Sequence, residues 1–301
     1  MGSPKKTQGA VEPLHEPDDA AAATMGAAPA GALRERVLGA TAIALAASIV
    51  IQNAMFGWAD APGYGDPIDD VLAWHQQQRG VVAIAVGQEA LYLLLLLVFV
   101  TGLHGLVQQR RGAGADWSRL TMAAATALSA ILGLYSVLWI GAVLSADGIA
   151  VPSPAFELAW RMHAAAFAVA LPALGTTFIG AALAAHRSRL TPRWQCLLGV
   201  IAGGLLLAAG AASLPIAEGS AILFVGMPGY AAWPVWLFAT GARLMRARAV
   251  NSVPTTLRPP GRRPTGLADR ERPCTRFRRL RMPPSAQRSD QGFEKRVGGG
   301  T

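Results

Sequence analysis

The chain has 301 residues, of which 52% are hydrophobic and only 15% charged, with a formal net charge of +9. Soluble globular domains carry about 25% charged residues, so this composition argues against a soluble domain and for a membrane-embedded one. The charge is also uneven: residues 246–301 hold 14 Lys and Arg against four acids, while everything before them holds 13 against 14.

Residues 1–32, rich in Ala, Pro and acids, read as a disordered cytoplasmic leader. The first apolar run opens near Val37, too far from a basic start for a signal peptide. A bilayer-spanning helix needs about 20 mainly apolar residues, since roughly 30 Å of hydrocarbon is crossed at about 1.5 Å per residue. Residues 37–56, 81–103, 120–144, 156–184, 196–216 and 220–243 satisfy this. The run Leu91 to Val100 is apolar on every side, which a soluble helix could not leave unburied. The fold expected is all-α and polytopic, with six transmembrane helices in one bundle across residues 33–245 and disordered termini.

Basic residues near helix ends stay on the cytoplasmic side. Before the tail, 11 of them precede the first span or join the second to the third and the fourth to the fifth, or follow the sixth. The opposite loops hold Arg79 and Arg161 among Asp60, Asp66, Asp69, Asp70, Asp147 and Glu218. Both termini are therefore expected in the cytoplasm and the protein in the inner membrane. Trp58, Trp74, Trp139 and Trp160 fall near the outer boundary, where amphipathic rings sit at headgroup level. Gly199 and Gly203 form a GxxxG pattern in the fifth span, a spacing that lets helix backbones approach closely, here within one chain rather than between copies.

Ionisable residues at membrane depth are costly and mark functional candidates. Glu89 lies about 12 Å below the outer boundary of the second span. The fourth span enters from the same side with Glu157, Arg161 and His163 in its first turns. Glu157 and Arg161 stand at i, i+4, a pairing distance, whereas His163 faces about 200° away from Arg161. Two arrangements follow: Arg161 clamping Glu89, or a hydrogen-bonded Glu89, as a structural feature, against His163 facing Glu89 as a titratable site. Gln52, Asn53, Gln88, Tyr135 and Ser136 would line the same outer half, and Tyr230 would join a carrier pocket there. Pro228, Gly229 and Pro234 suggest a kink or unwound stretch near residues 227–230. His75, in a polar stretch before the second span, and His163 invite a haem hypothesis. His104 and His186 lie toward the inside, as for a second, stacked site, but His186 is about 34 Å along the helix from His163, which puts it in the cytoplasmic headgroups beside Arg187.

Catalytic motifs such as HExxH, GxSxG and the P-loop are missing, so no catalytic residue, metal or cofactor is assigned. Cys196 and Cys274 suggest neither a disulfide framework nor a zinc site. The tail, 246–301, is too polar to fold, and its expected partner is anionic lipid headgroups rather than nucleic acid. A shifted reading frame of GC-rich DNA would yield the same Arg, Pro and Gly composition.

Residues 34–245 resemble the bacterial multi-pass membrane proteins grouped as domains of unknown function. The resemblance rests on the six-helix hydropathy, the outer loop with Trp58, Asp60 and Pro62, and the last span reading Trp233, Pro234, Val235, Trp236, Leu237, then Gly241 and Leu244. It implies a membrane fold and brings no site residues. The function expected is structural, sensing or accessory. The alternatives are a small-molecule or proton-coupled carrier around Glu89 and His163, and a haem-binding electron carrier.

Overall fold

A computed structural model describes the backbone of residues 19–246 apart from residue 111, and the side chains of 31 and 33–246 with the same exception. These lie in one compact unit, Met1–Pro254. The expected disorder of residues 1–18 and of the tail beyond Arg246 lies outside the described residues. Eight helices and no strand occur among those described: α1 Asp19–Trp58, α2 Ile68–Gln77, α3 Arg79–Gln109, α4 Ala115–Ser145, α5 Pro154–Arg187, α6 Arg193–Gly210, α7 Ser213–Ala217 and α8 Leu223–Arg246. The first helix begins within the stretch read as leader.

Five helices are long and apolar enough to cross a membrane: Leu33–Trp58 of α1, then α3, α4, α5 and α6. The sixth predicted segment does form a helix, α8. It falls outside those five because Pro228, Pro234 and several Gly and Trp dilute its apolar run. Of the kink or unwound stretch expected at residues 227–230, the unwinding does not occur, since α8 is continuous through both prolines. Gly229 is needed there for a different reason: a Cβ at this position would collide with the Ala202 carbonyl of α6. The fifth predicted segment stops short at Gly210, against the ring of Pro172 on α5, and resumes as the short α7.

Neighbouring helices pack in the succession α1, α3, α4, α5, α6, α8, and α8 returns to α1. Small residues make the closest seams. At α5 and α6, a Cβ on Gly203 would stand 2.7 Å from the Gly175 carbonyl and 2.5 Å from Ile179 Cγ1. The GxxxG pattern is thus filled by the chain's own α5. At α1 and α8, Gly39 and Gly241 face each other's carbonyls, 2.8 and 2.6 Å from where each Cβ would lie. Trp233, Trp236, Phe99 and Phe178 occupy the buried interior, with the two indoles stacked at 5.7 Å.

Helix α5 starts sharply. Ser153 Oγ accepts the Phe156 N–H at 3.2 Å and Pro154 occupies the first turn, the usual chemistry of a helix start. The segment before α3 differs from expectation. Residues read as polar loop form α2, with Asp69 and Asp70 in its first turn, where the helix dipole favours acids. Its other face buries Val71, Leu72 and His75 against Phe156 and Trp160 of α5, Ala142 of α4 and Ala146 just past its end. The loop leading into α2 is held by Asp66, whose carboxylate accepts the Gly63 N–H at 2.7 Å. Gly65 in turn lies on Gly219, a contact too close for any side chain.

Candidate functional site

Two adjoining cavities lie at the end of the molecule where α2 packs, and they share Tyr135 and Phe167 as a common wall. The deeper one, about 70 Å³, is lined by Glu89, three tyrosines (Tyr92, Tyr135 and Tyr230) and apolar residues of α4 and α5. Helical spacing explains part of this assembly, because Glu89 and Tyr92 at i, i+3 share one face of α3. The rest comes from packing. Gln52 of α1 donates Nε2–H to Glu89 Oε2 at 2.9 Å, and both side chains are buried. The adjacent Asn53 donates to the Tyr230 hydroxyl of α8 at 3.0 Å and to the Ile49 carbonyl at 2.8 Å. No Lys, Arg or His is within ion-pair distance of Glu89 among the described residues. A volume of this size has room for a few water molecules, each needing about 10–15 Å³ of such space and two or more polar partners.

The second cavity, about 210 Å³, is capped by the 61–64 loop and walled by aromatic rings from α1, α2, α4 and α5. At its heart the His163 imidazole stacks between Tyr135, at 3.8 Å between centroids, and Trp160, at 5.3 Å. His163 Nδ1–H donates to the Tyr135 carbonyl at 3.1 Å; this tautomer follows because a carbonyl can only accept. Nε2 of the same ring has no hydrogen-bond partner among the described residues and carries a free lone pair. Trp74 and Trp139 spend their indole N–H groups elsewhere, on the Ala59 carbonyl at 2.7 Å and on His75 Nε2 at 3.1 Å.

His75 is itself closed off. Its Nδ1–H donates to the Val71 carbonyl at 2.8 Å while Nε2 accepts from Trp139, so the neutral ring satisfies both nitrogens. Burial pushes its pKa below the ordinary value, with only partial relief from the Val71 hydrogen bond. Burial also drives the Tyr64 phenol upward, so it remains a neutral hydroxyl throughout the physiological range.

The expected candidates therefore separate. Glu89, Tyr135 and Tyr230 meet at the deeper cavity, and His163 meets Tyr135 on the other side of the shared wall. Arg161 does not clamp Glu89: its side chain is 74% exposed and it pairs with Glu157 one turn away. Nor does His163 bond Glu89, whose hydrogen-bond partner is Gln52. Gln88 turns to α1 instead, donating to the Ser48 carbonyl at 2.7 Å. The two histidines of the haem hypothesis do not face one another across free space, because His75 is bonded to Trp139. The cavity is also smaller than the roughly 300–1,000 Å³ of pockets for drug-sized ligands. No group of three or more His, Cys, Asp or Glu is placed to hold a metal among the described residues.

Sequence reading missed Tyr64, Trp74, Trp139, Trp160 and Phe167 as a site and treated several as interface anchors. A periodicity signal existed. Tyr135 and Trp139 are i, i+4 on α4, while Trp160, His163 and Phe167 follow at i, i+3 and i+7 on α5, two stripes that face each other. Comparison with protein-family models, curated proteins and solved structures finds no match to this chain. Its class is accordingly set by its own geometry: an all-α protein with five helices long and apolar enough to cross a membrane.

Proposed function

We propose that this chain is a multi-pass inner-membrane protein with six spans in one bundle and both termini in the cytoplasm, and that it binds a small ligand in the paired cavities behind the 61–64 loop. The role is one of sensing or accessory binding rather than catalysis. One observation carries the reading: Tyr135 and Phe167 form a single wall between an aromatic cavity and a chamber holding a buried carboxyl group. Polar groups at membrane depth are expensive, and here they converge from α1, α3, α4 and α8 on common spaces instead of being scattered. Inclusion of α8 as the sixth span is supported by its packing between α1 and α6. Orientation is supported by the clustering of Lys and Arg in alternate loops. Binding is favoured over translocation because α8, where a kink or an unwound stretch was expected, has no unwound stretch. The basic tail, outside the described residues, would tether the inner end to anionic lipids.

The ligand carried through purification, identified by mass spectrometry, tests the reading directly. Tyr135→Ala, which opens the shared wall, is expected to abolish its retention while the protein still elutes as a folded species. Retention unchanged in that variant would refute the site. Reporter fusions after Gly65 and Arg111 test the orientation, with a cytoplasmic signal expected only from the second.

A further inference from the structure

We propose that the aromatic cavity behind the 61–64 loop is a site for a small organic ammonium ion. This rests on the ligand-binding reading above and names the class of ligand. Four features of the walls converge on it. First, the lining is dominated by aromatic rings, Phe56, Trp74, Trp139, Trp160 and Phe167 among them, and the indole N–H groups of Trp74 and Trp139 are engaged by the Ala59 carbonyl and His75. A cation over such faces is attracted by their quadrupoles, more strongly when desolvated.

Second, the wall offers a buried acceptor with unspent capacity. His163 is 1% exposed, its Nδ1–H is engaged with Tyr135, and its Nε2 lone pair is free to receive an N–H or O–H of the ligand. Third, the entrance is acidic. Asp60, Asp66, Asp69 and Asp70 surround the capping loop, and Glu218 joins them through the Gly65 and Gly219 contact. None of these five carboxylates forms an ion pair among the described residues. By contrast, both arginines of this end are engaged, Arg79 with Asp147 at 3.0 Å and Arg161 with Glu157. Such a field concentrates cations and repels anions. Fourth, the deeper cavity beyond the shared wall holds Glu89, a carboxyl group with no ion-pair partner among the described residues.

A cavity of about 210 Å³ admits a cation of the size of choline and excludes larger cofactors.

Calorimetric titration of the full chain in lipid nanodiscs tests the assignment with two probes of one shape. These are choline chloride and 3,3-dimethyl-1-butanol, in which carbon replaces the ammonium nitrogen, at constant ionic strength. Choline is expected to bind at least about tenfold more tightly than the neutral alcohol. Tyr64→Phe, which keeps the ring face, is expected to hold the affinity within about threefold, and Tyr64→Leu to weaken it about 5- to 30-fold. Phe56→Leu, on α1 and lining the same cavity, is expected to weaken choline through a different helix, and serves if the loop variant fails to fold. Equal affinity for the two probes overturns the ammonium assignment and leaves the ligand site standing. Binding of neither probe by the folded protein, if Tyr135→Ala also leaves the co-purified ligand unchanged, overturns both readings. Choline binding unaffected by both leucine variants places the cation elsewhere and overturns the proposal.

Discussion

Replacing Gln52 by Leu removes the donor to Glu89 while preserving the volume of the side chain. In the structure both partners are buried and their contact is 2.9 Å. A buried acceptor deprived of its donor costs about 1–3 kcal/mol. The chamber beside Glu89, about 70 Å³, lets water take over part of the bond, which places the loss in the lower half, about 1–2 kcal/mol. Glu89→Gln should cost less, about 0.5 kcal/mol or under, since an amide oxygen still accepts from Gln52 and no ion pair is lost. Glu89→Leu should cost more than Glu89→Gln. The double variant Gln52→Leu with Glu89→Leu should recover part of the summed loss. Interhelical hydrogen bonds in membranes give coupling energies averaging about 0.6 and reaching about 1.7 kcal/mol, and that is the range expected here. Reversible unfolding in mixed detergent micelles, monitored by circular dichroism, measures all four proteins. Additivity within about 0.3 kcal/mol would refute the pairing. Glu89→Gln as damaging as Glu89→Leu would refute the view that Glu89 lacks a cationic partner.

Further outcomes follow from the same geometry. Gly203→Ala should destabilise by about 1–3 kcal/mol through forced displacement at the α5 seam, whereas Gly204→Ala, where a Cβ meets nothing within 4 Å, should cause no loss; equal effects in thermal unfolding would refute that seam. Arg161→Ala should change stability by no more than about 1 kcal/mol, as expected for an exposed pair, and leave ligand retention intact; loss of retention would restore Arg161 to the site. For His75 the folded-state pKa lies below its ordinary 6.5. The unfolded chain therefore binds a proton that the folded one refuses, and stability should be level above that value and fall as pH drops below it. His75→Gln should flatten this acid limb, and an unchanged pH profile would refute the buried, neutral ring.

Much of the helical layout was legible in local composition. Each of the six apolar runs forms helix over most of its length, because the length of such a run and the scarcity of charge within it are properties of neighbouring residues alone. The close approach of Pro172 of α5 to Gly210, where α6 ends, was not legible, since it joins two helices. Helix α2 was hidden because its buried face is short, and because His75 looks polar until Val71 and Trp139 satisfy both of its nitrogens. Glu89, Tyr135, Tyr230 and His163 could be nominated from depth and residue type. Their partners could not: helical spacing permitted Arg161 or His163 to reach Glu89, and packing supplied Gln52 instead.

The sequence by itself determined that this chain is all-α and carries runs of membrane-crossing length, and it located the basic charge in the tail. These quantities add along the chain against a bilayer of fixed thickness. Only the tertiary structure decided which faces meet. Asn53 and Tyr230 are 177 residues apart and share a hydrogen bond, and the aromatic cavity draws on six segments. At the α1–α8 and α5–α6 seams the facing sides are those that carry small residues, Gly39 with Gly241 and Gly175 with Gly203. That information resides in pairs of distant positions and has no signature within a single run.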